Sequence, residues 1–175
     1  MKFLKAVLIL FSASFAFQSC HDSDGRSNQF TYDGKNYSLA NALVTLNVDR
    51  GKNDDGDSIY LHQVIILDKG FTYDEADFAG AGNLLALYFT GSRPLKLEPG
   101  TYTISSQIDS QFDLGGLMAI DYETSASTGT VVSAESGTVK VATFGIGYTF
   151  DVDVVLTDAQ PVKGFFSGVL HPFHE

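Results

Sequence analysis

Tyr148-Thr149-Phe150-Asp151-Val152-Asp153-Val154-Val155-Leu156 is the stretch that decides the fold. Tyr148, Phe150, Val152, Val154 and Leu156 fall on one face of an extended chain, with Thr149, Asp151 and Asp153 on the other, as a half-solvated strand requires. Gly145-Ile146-Gly147 turns the chain before it and Asp158-Ala159-Gln160-Pro161 after it. Thr130–Ser133 leads into Gly137–Val141 before this stretch in the chain, and Val162–Leu170 follows it.

Working back toward the N-terminus, the same grammar recurs. Gln29-Phe30-Thr31-Tyr32 and Lys35-Asn36-Tyr37-Ser38-Leu39 flank Asp33-Gly34, a pair that tolerates the positive φ of a type I′ hairpin turn. Ala42–Val48 is a strand, followed by the charged loop Asp49–Asp57. Ser58–Leu67 is a β-branched strand with Ile59, Leu61 and Ile65 on one face. Asp68–Gly82 reads as a long glycine-containing connection. Asn83–Thr90 is almost wholly apolar, and its length and flanking glycines make it a central strand covered on both sides rather than a helix. Thr101–Ser105 and Leu117–Glu123 complete the set, with Ser106–Gly116 as a loop between them. No segment combines a 3.6 period with capping signals. About nine to eleven short strands separated by turns predict an all-β domain. An antiparallel two-sheet β-sandwich is expected, with a lipocalin-like β-barrel as the alternative.

The N-terminal segment follows a different logic. Lys2 and Lys5 precede an apolar run of 12 residues, Ala6–Phe17. This suits a secretory signal and falls short of the roughly 20 residues a spanning helix needs. Phe17-Gln18-Ser19-Cys20 resembles a bacterial lipobox, in which Cys20 is acylated and becomes the new N-terminus. Cys20 is the only cysteine, so no disulfide framework exists and packing must hold the fold. The expected organisation is a lipoprotein signal over 1–19, a flexible tether over 20–28 and one domain over 29–175. Loss of Lys2 and Lys5 with the signal takes the net charge from −10 to −12. That balance argues against nucleic acid as a partner.

Three groups of motifs resemble small Bacteroidetes-type lipoproteins. They are Phe30–Tyr37, Pro99–Ile104, and Ser136–Val141 with Val162–Leu170. The acidic residues Asp22 and Asp24 behind Cys20 resemble the surface-export signal of that class. The resemblance implies an outer-membrane lipoprotein displayed at the cell surface, with a periplasm-facing position as the alternative. It implies a β-sandwich and brings no catalytic residues or cofactor.

Asp74-Glu75-Ala76-Asp77 spells a helicase signature but lacks the phosphate-binding loop it needs. Asp49, Asn53, Asp54, Asp55 and Asp57 offer oxygens for calcium, yet fit no EF-hand register; a solvated hairpin tip is the plainer reading. His62, His171 and His174 would have to converge to hold a metal or haem. Gly164-Phe165-Phe166-Ser167-Gly168 is not a nucleophile elbow. Ser58, in Asp57-Ser58-Ile59, resembles a Bacteroidetes O-glycosylation site. Loop aromatics Phe71, Tyr73, Phe78 and Phe112 are candidates for contact with a protein or glycan partner; folding back to cover a sandwich end is the plainer reading. The expected role is a non-enzymatic binding or accessory domain. A carrier of a small apolar ligand and a pilus-type subunit are the alternatives.

Overall fold

A computed structural model describes residues 25–53, 55–73, 77–107 and 109–173, with only the backbone of Asn47. The described residues form strands β1 (Gln29–Tyr32), β2 (Lys35–Ser38), β3 (Asn41–Lys52), β4 (Ser58–Leu67), β5 (Phe71–Tyr73) and β6 (Phe78–Gly91). They continue with β7 (Gly100–Ile104), β8 (Asp113–Glu123), β9 (Thr128–Phe144), β10 (Gly147–Leu156), β11 (Pro161–Gly168) and β12 (Leu170–Pro172). The domain is all-β, as the alternation predicts.

The strands do not divide into two antiparallel sheets. Hydrogen bonds run along one path, β12-β3-β4-β6-β8-β7-β9-β10-β11-β1-β2, with β5 on β6 and a further β8–β9 pairing. Two of the pairings, β12 with β3 and β7 with β8, are parallel. The reason lies in β9, whose 17 residues are long enough to serve two neighbours on one edge. Thr128–Ser133 pairs with β8, while Thr138–Val141 pairs with β7. Between these two stretches Gly137 has φ 112° and pairs with Val154, next to a register shift that leaves Glu135 over between Val155 and Leu156 of β10. A Cβ at residue 137 would lie 2.3 Å from the Asp153 carbonyl oxygen, so the strands meet there only because the residue is glycine.

The sheet curls into a half-barrel over its main core. Phe89 of β6 meets Phe150 of β10 at 5.8 Å between ring centroids, although these strands are not neighbours. Ala42, Val64, Leu87, Met118, Val139, Val152 and Phe166 fill the space between the walls. A second, smaller core lies on the outer face of β3, β4, β6 and β8, built from Leu43, Ile65, Leu67, Phe71, Leu84 and Phe173. Central strand β6 is therefore buried on both sides from Leu84 to Leu87, as its unbroken apolar run predicts.

Two connections prove more ordered than the composition suggests. The charged loop shrinks to residues 53–57, because β3 continues through Lys52 and pairs Lys52 with Ser58 across two irregularities. The Asp68–Gly82 connection contains the β5–β6 hairpin, with Phe71 opposite Gly80 and Tyr73 opposite Phe78. The early hairpin forms as expected: Asp33 and Gly34 have φ of 48° and 70°, and Tyr32 pairs with Lys35.

Candidate functional site

Among the described residues, the space between the apolar walls of the main core that Leu85, Ile104, Met118, Val154 and Val162 border is about 10 Å³, the threshold for one water. An apolar concavity lies outside, on the face that carries the second core.

It is an apolar groove of about 270 Å³. Cross-strand register explains its floor: Ile65 of β4 stands beside Ala86 of β6, and Leu84 of β6 stands beside Ala119 of β8. Both alanines are buried, 5% and 2% exposed. Small side chains in a row of large ones leave a hollow. Gln63, Tyr88 and Leu117 border it at one end, Phe78 and Tyr122 at the other, and Val131 forms an exposed lip.

Tyr122 reaches the groove through a defect in β8. Gly82 pairs with Tyr122 and Leu84 with Ala119, so two residues of β8 oppose one of β6. Asp121, at the extra position, has φ 50° and donates its N–H to Asn83 Oδ1 at 3.1 Å. The bulge shifts the alternation, putting Tyr122 on the same face as Leu117 and Ala119.

A carboxylate fastens the same corner. Asp68 accepts from the N–H of Gly70 at 2.7 Å, from the N–H of Asn83 at 2.8 Å and from Asn83 Nδ2 at 2.9 Å. A Cβ on Gly82 would lie 2.2 Å from its Oδ1. Asp68, 8% exposed, is a structural anchor that aims the β5–β6 hairpin over the sheet.

Of the loop aromatics, Phe71 is 3% exposed and so offers no surface for a partner. It packs edge-on to Phe78 at 5.8 Å, and Phe78 reaches Phe173 at 6.2 Å. Tyr73 is half-buried, 5.3 Å from the ring of His171. Phe112 (φ 67°) turns into the main core, 5.0 Å from the Tyr102 ring and against Gly100. These rings fold back because leaving them in water costs more than the turns needed to bury them. Phe78 alone lines the groove.

The acidic tip is held by its own turn. Asp49 accepts from Gly51 N–H, and Asn53 Oδ1 accepts from Asp57 N–H, each at 2.8 Å. Asp54 lies outside the described residues. Among the described residues no three His, Cys, Asp or Glu side chains converge as a metal site would require. His62 is fully buried on the inner face of β4 and His171 lies on β12, while His174 is outside the described residues. Burial pushes the His62 pKa down, against the opposing pull of a hydrogen bond to the Arg93 backbone and of the Glu98 charge. Ser58 is exposed at the start of β4. Cys20 lies outside the described residues.

Sequence reading missed the groove floor. Ala86 and Ala119 sit inside apolar strands, and only their register places the two small side chains next to large ones. Comparison of the chain with protein-family models, with curated proteins and with solved structures finds no match.

Proposed function

We propose that the protein is a lipid-anchored, non-enzymatic binding domain of the cell envelope, held at the outer membrane through Cys20 and displayed at the surface. Its partner is a protein, and the apolar groove over Ala86 and Ala119 takes one or two apolar side chains of that partner. The observation that carries this reading is the groove itself. At about 270 Å³ it lies just below the ~300–1,000 Å³ range of small-molecule pockets, and it is open along a sheet face. An interior carrier would need a chamber, and the 10 Å³ inside the half-barrel supports the surface reading instead. The Bacteroidetes-type motifs and the lipobox-like Phe17–Cys20 supply the envelope placement.

The test has two parts. Intact mass of the membrane-extracted protein should show an acylated Cys20 as the N-terminus; an unmodified thiol sinks the anchor. A photo-crosslinker at position 131 should capture a discrete protein adduct on whole cells, and Ala119→Leu, which fills the floor, should abolish it. An adduct indifferent to the filled floor removes the groove from the function.

A further inference from the structure

The first described residues are fastened to the wall opposite the groove. Arg26 lays its guanidinium over the Phe165 ring at 3.9 Å and pairs with Asp151 Oδ2 at 2.7 Å. Phe165 is on the outer face of β11, where it would meet water; with Arg26 across it, it is 6% exposed. Two residues on, Asn28 is bonded to the backbone of Ser167. The segment expected to be a free tether through residue 28 is thus part of the domain from Arg26 onward. A buried Phe and an adjacent carboxylate give the guanidinium both a stacking face and a charge partner.

We infer that this clamp orients the domain on a lipid bilayer, turning the outer face of β10, β11 and β1 toward the membrane and the groove away from it. The inference rests on the acylation of Cys20 proposed above. Four residues lie between Cys20 and Gly25, so the five Cα–Cα steps reach at most about 18 Å. A leash so short keeps the clamped wall close to the bilayer. Phe150 and Phe166 of this wall and Phe89 of the opposite wall share the main core, whereas the groove is on the outer side of β4, β6 and β8.

Charge on the clamped face permits the approach. Its two central cross-strand rows are Lys140-Asp151-Phe165-Gln29 and Thr138-Asp153-Lys163-Thr31. Both acids are paired, Asp151 with Arg26 and Asp153 with Lys163 at 3.2 Å, and Lys140 stands beside Asp151. With Arg26 these rows carry one more base than acid, on a chain of net charge −10. This patch escapes the repulsion that the acidic remainder would feel from anionic headgroups.

The experiment uses the acylated full chain in phosphatidylethanolamine–phosphatidylglycerol vesicles containing a nitroxide-headgroup lipid. Fluorophores are placed by Asn36→Cys, on β2 beside the clamped face, or by Val131→Cys, on the groove lip. The label at 36 should be quenched at least twofold more than the label at 131, and Arg26→Ala should erase the difference. Equal quenching of the two labels in a chain whose mass shows acylation overturns the orientation while leaving the anchor intact. So does a difference that survives Arg26→Ala. A chain whose mass shows an unmodified Cys20 removes the anchor, and the orientation with it.

Discussion

Asn28 gives Ser167 the two hydrogen bonds that a neighbouring strand would give it: its Oδ1 accepts from the Ser167 N–H at 2.9 Å, and its Nδ2 donates to the Ser167 carbonyl at 3.0 Å. An amide side chain here mimics a peptide group, at the point where β11 is about to leave the sheet at Val169 and rejoin its far end as β12. The Asn28 carbonyl also accepts from Leu39 N–H at 2.9 Å, and the next residue, Ala40, donates to Leu67 at 2.7 Å. Asn28 thus fastens β11 to Leu39, and Ala40 carries the chain on to β4 near the other end of the strand path. Asn28→Ala should cost about 1–3 kcal/mol, the penalty of part-buried backbone groups left without partners. Asn28→Asp keeps the acceptor only and should fall between. Urea midpoints measure both, and a wild-type midpoint for the alanine variant would refute the corner's importance.

Gly82→Ala should destabilise the domain by about 1–3 kcal/mol, the usual range for overpacking, because the new methyl collides with the Asp68 carboxylate. Asp68→Ala should also destabilise. The double variant should lose less than the sum, since removing the carboxylate relieves the collision. Strict additivity in denaturant titrations would show that the two residues do not share this corner.

His62 makes stability depend on pH in a predictable direction. Its folded pKa lies below the ordinary 6.5, chiefly through burial. The unfolded chain then binds the proton more readily, so stability rises with pH through the window between the folded value and 6.5. The stabilising contribution is complete above 6.5 and is lost as the protein is acidified below it. His62→Gln should flatten this part of the curve of unfolding free energy against pH. An unchanged slope would place the titration elsewhere.

The Asp33-Gly34 turn offers a local test. Gly34→Ala should cost about 1–2 kcal/mol, the penalty for an L-residue in the left-handed region, because φ is 70° at that position. Asp33→Asn should be near neutral, as asparagine tolerates the same region. Thermal melts of the two variants distinguish this effect from general sensitivity of the hairpin.

Strands and turns were legible wherever local chemistry settles them. Tyr148–Leu156 alternates because one face must be dry, and Asp33-Gly34 turns because few other pairs accept two positive φ values. Phe71, Tyr73, Phe78 and Phe112 were legible as aromatics that fold back or meet a partner, but which neighbours would cover them was not. Their burial depends on Gly80, Gly82 and Gly100 admitting close neighbours, contacts that join residues distant in sequence or across a turn. The same holds for the acidic tip, where β3 extends to Lys52 only because β4 is beside it.

By itself, the order of residues determined that the domain is all-β, where strands such as β1, β4 and β10 begin and end, and that β6 is central. Periodicity and turn chemistry act over a few residues and need no partner to be read. The tertiary structure alone decided that the strands form one curled mixed sheet, that Tyr122 faces the groove, and that Arg26 lies on Phe165. Those outcomes turn on register, on one extra residue in β8 and on the close strand approach at Gly137, and register is a relation between strands that neither strand carries alone.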